Sequence, residues 1–558
     1  MSNQSLVSTA SFNKKTIFWA AMVYSACFIW FLFLAQGLPL GDLDDWALTL
    51  ISKRTPWKEL FFNLLLPWSK SAYWFNQVDL FDQIVHKRIV NGIVLKSIST
   101  FFGIHFFPSY IFAKGIFFSG TVTVVFILMK RVTQSVLFAL AGTIFFALVP
   151  AHYAHVLWIA DPFTIAQCFI VLSIWLFSEM ILRLERNKVD LKFFLLLSSM
   201  FITGWLSIKS KEPGLIFPLV VGAYLLTNFE TFKSRKLYFF LILSLASLII
   251  FQIVPIEHLN SPVQSFTYRF SNISRILLRN YQVGYEDEPT TAFFSMNHIW
   301  PVSIARTFGA RSLWVLIFFI FLYLVKLRAK SSADYFLKHP LVRICLLWVL
   351  IEIILMGFFQ PEPRYFSGTM APISLLVVRL VWCITSSKNR FWKYALLGIS
   401  LFCWGSATFG MNLQHVIWLR LQIGSRSNRL FKTAEFLYLN VNHSLNASTE
   451  DVARFYCPAY VLDSNKHPRM EDVVYFAELY YESWNKTKDG SLVDFERFAK
   501  MGAIYYITYD ANKFTNFQNV TLASVVTGIN NKSFFESIVH RLKRKTPQPL
   551  YIFKYQKF

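Results

Sequence analysis

Three carboxylates fall within four positions in Gly41-Asp42-Leu43-Asp44-Asp45-Trp46. Acids this close repel one another, so their pKa values split. One member is then poised as a base, or two together hold a cation. If a divalent ion is used, Asp44 and Asp45 are the expected ligands. One of them could instead cap the helix-like run Trp46 to Ile51. A cap uses one carboxylate and leaves the others unexplained. A second cluster follows in Pro150-Ala151-His152-Tyr153-Ala154-His155, with Trp158 and Asp161 beyond. His152 and His155 could share one helical face and a metal. Without a third ligand close by, hydrogen-bonded histidines at an interface are the expected reading. Asp161 precedes Pro162, so an N-cap and a functional carboxylate are both open for it.

Two further stretches suit an anion. Lys209-Ser210-Lys211-Glu212-Pro213-Gly214 is too short for a solvated loop. Its Lys–Glu pair either neutralises itself or places a cation under a phosphate. Glu362-Pro363-Arg364-Tyr365 offers a guanidinium fork for phosphate oxygens with a phenol beside it. Glu286-Asp287-Glu288 reads first as a solvated turn, and Glu286 is kept as a supporting candidate.

The elements that must position these groups are membrane helices. Hydrophobic residues make up 55% of the 558 residues and charged residues only 16%, well short of the usual soluble proportion of about a quarter. The net charge of +23 need not imply nucleic acid, because Lys and Arg gather in cytoplasmic loops of membrane proteins. Apolar runs predict about eleven spans. They fall near residues 17–38, 106–128, 135–153, 156–182, 191–208, 215–228, 237–255, 313–325, 341–359, 366–384 and 394–411. Each expected inner loop is basic, such as Lys130-Arg131 and Arg183 with Arg186 and Lys188. That parity puts the N-terminus inside and every cluster above outside. The fold class expected is therefore mainly α: a polytopic transmembrane domain over 1–411 with external loops 39–105 and 256–310. A small α/β external C-terminal domain over 412–558 completes it. Strands are predicted near 503–509 and 549–553, and helices near 473–484 and 534–544. The six cysteines form neither a disulfide framework nor a CxxC pattern.

This arrangement resembles the GT-C fold of membrane glycosyltransferases, close to the protein O-mannosyltransferase-like and aminoarabinose-transferase-like enzymes. The resemblance is carried by Asp44-Asp45 after the first span and Pro150-Ala151-His152 with Trp158. Lys211-Glu212 and Arg364-Tyr365 add to it. It departs where Ala154 and His155 stand in place of an acid, for which Asp161 is the substitute. The resemblance implies transfer of a sugar from a polyprenyl phosphate or diphosphate, with inversion, to a protein or glycolipid acceptor. Asp44 would be the general base, and Asp45 or Asp42 would orient the acceptor, joined by Asp161. Arg364, Tyr365, Lys209 and Lys211 would hold the donor phosphate, with Glu212, His152, His155, Glu362 and Glu286 in support.

Two rivals remain open. A lipid-linked polysaccharide polymerase or ligase would use a large external loop rich in Arg and His, as 256–310 is, with Arg269, Arg275, Arg279, His298 and Arg306. A transporter or flippase would place charge along the spans, and Glu352 and Arg379 are the residues that favour it. Membrane lipids are expected partners and nucleic acid is not. The short inner loops favour a bacterial inner membrane with a periplasmic tail over the endoplasmic reticulum.

Overall fold

The computed structural model describes residues 14–35, 48–49, 51–53, 55–66, 88–103, 107–148, 152, 161–185, 189–228, 245, 336, 339–358, 368–385, 432–433, 436, 459–461, 505–508, 510–512, 514–516, 518–527 and 549–555. Its helices are α1 (Lys14–Ala35), α2 (Trp57–Leu65), α3 (Ile89–Phe102), α4 (Phe107–Thr133), α5 (Val136–Ala147), α6 (Phe163–Glu185), α7 (Leu191–Ser210), α8 (Ile216–Thr227), α9 (Pro340–Phe358) and α10 (Met370–Thr385). A 3-10 turn, Glu212–Leu215, joins α7 to α8. Helices α1 and α4 to α10 stand where spans are predicted. Among the described residues four stretches are long and apolar enough to cross a membrane: Lys14–Phe33, Ser109–Thr133, Phe163–Leu184 and Leu191–Ser210. The chain is thus a multi-pass membrane protein. The predicted spans at 237–255 (save Leu245), 313–325 and 394–411 lie outside the described residues, as do loop 256–310 and both tail helices.

The apolar runs carry hydrophobic residues on every face, as a helix between lipid and protein must. One core cluster joins α1, α4 to α7, α8, α9 and α10, with Phe126, Val171, Phe177 and Tyr224 fully buried. Ile17, Phe18, Ile202 and Leu350 remain exposed on the outside of the bundle, where lipid replaces protein as the apolar solvent. Neighbouring spans alternate in direction. The turn from α4 to α5 shows how tightly. Gln134 takes φ 53°, the left-handed cap position, and its N–H donates to the Lys130 carbonyl at 2.8 Å. Thr133 Oγ1 donates to the Met129 carbonyl at 2.8 Å in the same turn. One end of the bundle therefore gathers Lys15, Lys130, Arg131 and Arg183, and we call it the basic end.

The short helices α2 and α3 pack on each other, and α3 also meets α7. The start of α6 departs from expectation. It begins at Phe163 rather than near Val156, because Asp161 caps it and Pro162, which lacks an N–H, fits only its first turn.

The tail contributes a mixed four-stranded sheet in the order β1-β2-β4-β3. Its strands are β1 (Ala459–Val461), β2 (Tyr505–Thr508), β3 (Val520–Val526) and β4 (Leu550–Tyr555). β2 pairs antiparallel to β4 with Ile507 opposite Ile552, and Phe514 packs edge-on against Phe553 at 5.0 Å. β2 and β4 are the two strands predicted. β1 has only three residues, and β3 is irregular between Leu522 and Ser524, which breaks the alternation that reveals a strand.

Candidate functional site

The end opposite the basic end holds a compact group of charges. Asp161 sits just before α6, and its Oδ1 accepts from the Phe163 N–H at 2.9 Å. The same oxygen accepts from Lys211 Nζ at 2.9 Å. Both side chains are nearly sealed, with Lys211 7% and Asp161 8% exposed. Asp161 is therefore a cap and an ion-pair partner at once. Lys114, buried within α4, donates from Nζ to the Asp161 backbone carbonyl.

The α7–α8 turn brings Lys211 there. Lys211 leaves α7 in extended geometry (φ −164°, ψ 157°), and the 3-10 turn starts at once with Glu212 and Pro213. Gly214 is required by close approach. A Cβ there would stand 2.2 Å from the Ser207 carbonyl oxygen. Glu212 accepts from Arg88 Nη2 at 3.2 Å and Nε at 3.3 Å, which draws the start of α3 onto the turn. Lys211 Nζ also lies 5.7 Å from the centre of the Phe163 ring.

Electrostatics follow from this packing. Burial pushes the Lys211 ammonium below the usual lysine range, with Arg88 adding to the effect and Asp161 and Glu212 opposing it. Burial alone would push the Glu212 carboxyl up. Arg88 and Lys211 outweigh it and hold that carboxyl below its ordinary value. The site thus alternates carboxylate, ammonium, carboxylate and guanidinium. With Lys114 and Lys209 counted, four cations stand against Asp161 and Glu212 among the described residues. A cation-rich group at the end of membrane helices suits an anionic headgroup whose apolar part stays in the bilayer.

The predicted residues divide clearly. Asp161, Lys211 and Glu212 come together. Lys209 is fully buried nearby, but its Nζ donates to the Leu66 carbonyl and lies 5.1 Å over the Trp205 ring. Trp205 Nε1 donates to the Leu64 carbonyl at 3.1 Å, so this pair ties the end of α2 to α7. His152 is buried against Phe146 and Phe118, with ring centres at 4.5 and 5.8 Å. Asp42, Asp44, Asp45, His155, Glu286, Glu362, Arg364 and Tyr365 lie outside the described residues. Among the described residues no three His, Cys, Asp or Glu side chains form a metal-holding group.

Two residues of the site escaped sequence reasoning. Lys114 had a signal, since an ionisable residue inside an apolar span is a functional candidate. Arg88 had none, because its partner Glu212 is 124 positions away. The two charges that favoured a transporter also separate. Arg379 donates to the Val132 carbonyl at 2.6 Å near the basic end, where it serves the last turn of α4. Glu352 is 3% exposed, and its Oε2 has no hydrogen-bond partner among the described residues. A Cβ on Gly368 would stand 2.1 Å from Glu352 Oε1 and 3.4 Å from Phe163 Cζ, so Glu352 lies close to Phe163, the first residue of α6.

No protein-family model and no curated protein matches the chain. Among solved structures the chain is similar to ArnT from Cupriavidus metallidurans, crystallised bound to undecaprenyl phosphate. The identity is 10% and the TM-score 0.48, over 96% of this chain and 98% of that one. At that TM-score the functional reading rests on this chain's own residues.

Proposed function

We propose that the chain is an integral-membrane glycosyltransferase that takes a sugar from a polyprenyl-phosphate donor at the Asp161 end of the bundle. The observation that carries this reading is the sealed Asp161–Lys211 pair, set at a helix end and flanked by the Arg88–Glu212 pair. An ammonium has three N–H donors. Asp161 takes one and so aims Lys211, and a donor phosphate takes another. Arg364 and Tyr365 complete the phosphate contacts, as the sequence resemblance implies.

In the reaction the acceptor hydroxyl oxygen attacks the anomeric carbon as the bond from that carbon to the phosphate oxygen breaks. The phosphate leaves with the electron pair. Lys211 and Arg364 stabilise the charge that develops there. Asp44 takes the hydroxyl proton as general base, and Asp45 or Asp42 orients the acceptor. Attack opposite the leaving group inverts the anomeric centre. The acceptor is a protein or a glycolipid, and the site faces the periplasm of a bacterial inner membrane.

The test is sugar transfer by purified protein from a radiolabelled polyprenyl-phosphate sugar, alongside donor binding. Lys211→Met should lower donor affinity about tenfold or more, the usual effect of losing a charge-assisted contact. Asp44→Asn should leave binding intact and lower turnover by about a hundredfold or more. Full transfer by folded Lys211→Met protein would exclude the phosphate role. The second reading is a lipid or solute transporter, favoured by the buried carboxyl of Glu352 within α9. Donor translocation in vesicles without sugar release, lost in Glu352→Gln, would select it.

A further inference from the structure

A different group of charges lies at the basic end. Arg343 stands in the first turn of α9, which contains no acidic residue. A helix N-terminus carries positive partial charge and disfavours a cation there. Arg343 Nη1 donates to the Asn228 side-chain oxygen, and its guanidinium lies 5.7 Å from the Tyr224 ring. Asn228 caps α8, whose C-terminal end offsets part of the charge. An amide is not a counter-ion, however. Among the described residues no carboxylate pairs with Arg343, and its buried Nε makes no hydrogen bond.

Other donors stand at the same end of the bundle, on helices that pack against α9 or α10. Arg131 reaches in from the last turn of α4, held by Ser178 at 2.8 Å and by Glu179. Arg379 enters from α10. His339 precedes α9, and its Nδ1 accepts from the Leu341 N–H at 3.3 Å, so in the neutral ring the proton sits on Nε2. Burial, followed by the charges of Arg379, Arg131 and Arg343, pushes His339 down to about 4. At neutral pH the ring is therefore an uncharged N–H donor.

We propose that Arg343, with His339 and the neighbouring Arg131 and Arg379, binds a phosphate group at the basic end of the bundle. A planar guanidinium fork beside a helix N-terminus matches phosphate oxygens in geometry and charge. General attraction of basic residues to an anionic membrane surface explains Lys14, Lys15 and Lys130. It does not explain an arginine lodged between α8 and α9 with no carboxylate beside it among the described residues. The phosphate comes from an anionic phospholipid headgroup or from the free anion. This site is separate from the Asp161 site and does not depend on the glycosyltransferase reading.

The test uses the full chain in nanodiscs of phosphatidylcholine with graded phosphatidylglycerol, read by native mass spectrometry of retained lipid. Wild type should retain phosphatidylglycerol in preference to phosphatidylcholine. Arg343→Gln, which removes the charge and the fork but stays polar, should weaken retention about tenfold. Lys130→Gln removes one charge from the same face, and it should change retention by no more than about twofold. Equal losses in both variants, or none in either, would overturn the site. If Arg343→Gln does not fold, Arg343→Lys keeps the charge but loses the fork, and unchanged retention there overturns the proposal too. Wild type in pure phosphatidylcholine is also titrated with millimolar inorganic phosphate. A thermal shift there without phosphatidylglycerol preference assigns the free anion. Neither preference nor shift overturns the site for both sources.

Discussion

Replacing Asp161 by Asn should strand the Lys211 ammonium in a nearly sealed place. At 2.9 Å the two unit charges attract by about 6 kcal/mol at an effective dielectric near 20. Desolvation offsets much of this, and losing one partner of a buried pair typically costs about 3–5 kcal/mol. Asn can still accept the Phe163 N–H, so the helix cap survives and the loss isolates the pair. The stranded lysine also has an escape, since it can shed its proton. Relative to an ordinary lysine near 10.4, that costs about 4 kcal/mol at about pH 7.5 and about 2 kcal/mol at about pH 9. Those values cap the stranded-charge penalty. The sign follows from proton counting. In the variant the folded Lys211 lies below its unfolded value, so the unfolded chain binds more protons and stability rises with pH. Equilibrium unfolding in mixed detergent, compared with wild type, should show a deficit of about 3–4 kcal/mol at about pH 7.5, shrinking by about 1–2 kcal/mol at about pH 9. In the double variant Asp161→Asn/Lys211→Met the costs should be clearly less than additive. A deficit under about 1 kcal/mol that ignores pH, with additive single costs, would refute the pairing.

Three further outcomes are expected. Gly214→Ala should cost about 1–3 kcal/mol in the same unfolding assay, because its methyl meets backbone rather than a movable side chain. Gln134→Gly should raise stability by roughly 0.5 kcal/mol, since relief of left-handed strain exceeds the added chain entropy. Glu212 contributes stability that is present above the ordinary carboxylate range and is lost as pH falls through its lowered folded value. Glu212→Gln should therefore flatten the acid side of the stability–pH curve, and an unchanged acid limb would show that Arg88 does not hold it.

Much of the fold was legible because a bilayer imposes a simple code. Twenty or so apolar residues make a span, and basic residues mark its inner end. α1, α4, α7 and α9 fall where that code puts them, and Lys130-Arg131 closes α4 as expected. β2 and β4 show the dense β-branched and aromatic runs of strands, whereas β3 hides behind its irregular register. At the site, Lys211 and Glu212 were visible because a charged turn between two apolar helices has no bland solvation. Asp161 was visible because an acid before Pro162 at a span's end must either cap or react, and its geometry shows a cap that is also a counter-ion.

By itself the sequence determined the class of molecule and which short stretches carry charge at helix ends. Those are local properties, set by hydropathy, helix signals and spacing. Only the tertiary structure decided the partnerships. It brought Arg88 to Glu212 and Lys211 to Asp161. It turned Lys209 to the Leu66 carbonyl and lodged Arg343 against Asn228. Such pairings depend on which helices pack side by side. Apolar faces that look alike in sequence do not specify their neighbours, whereas the packed bundle admits one set.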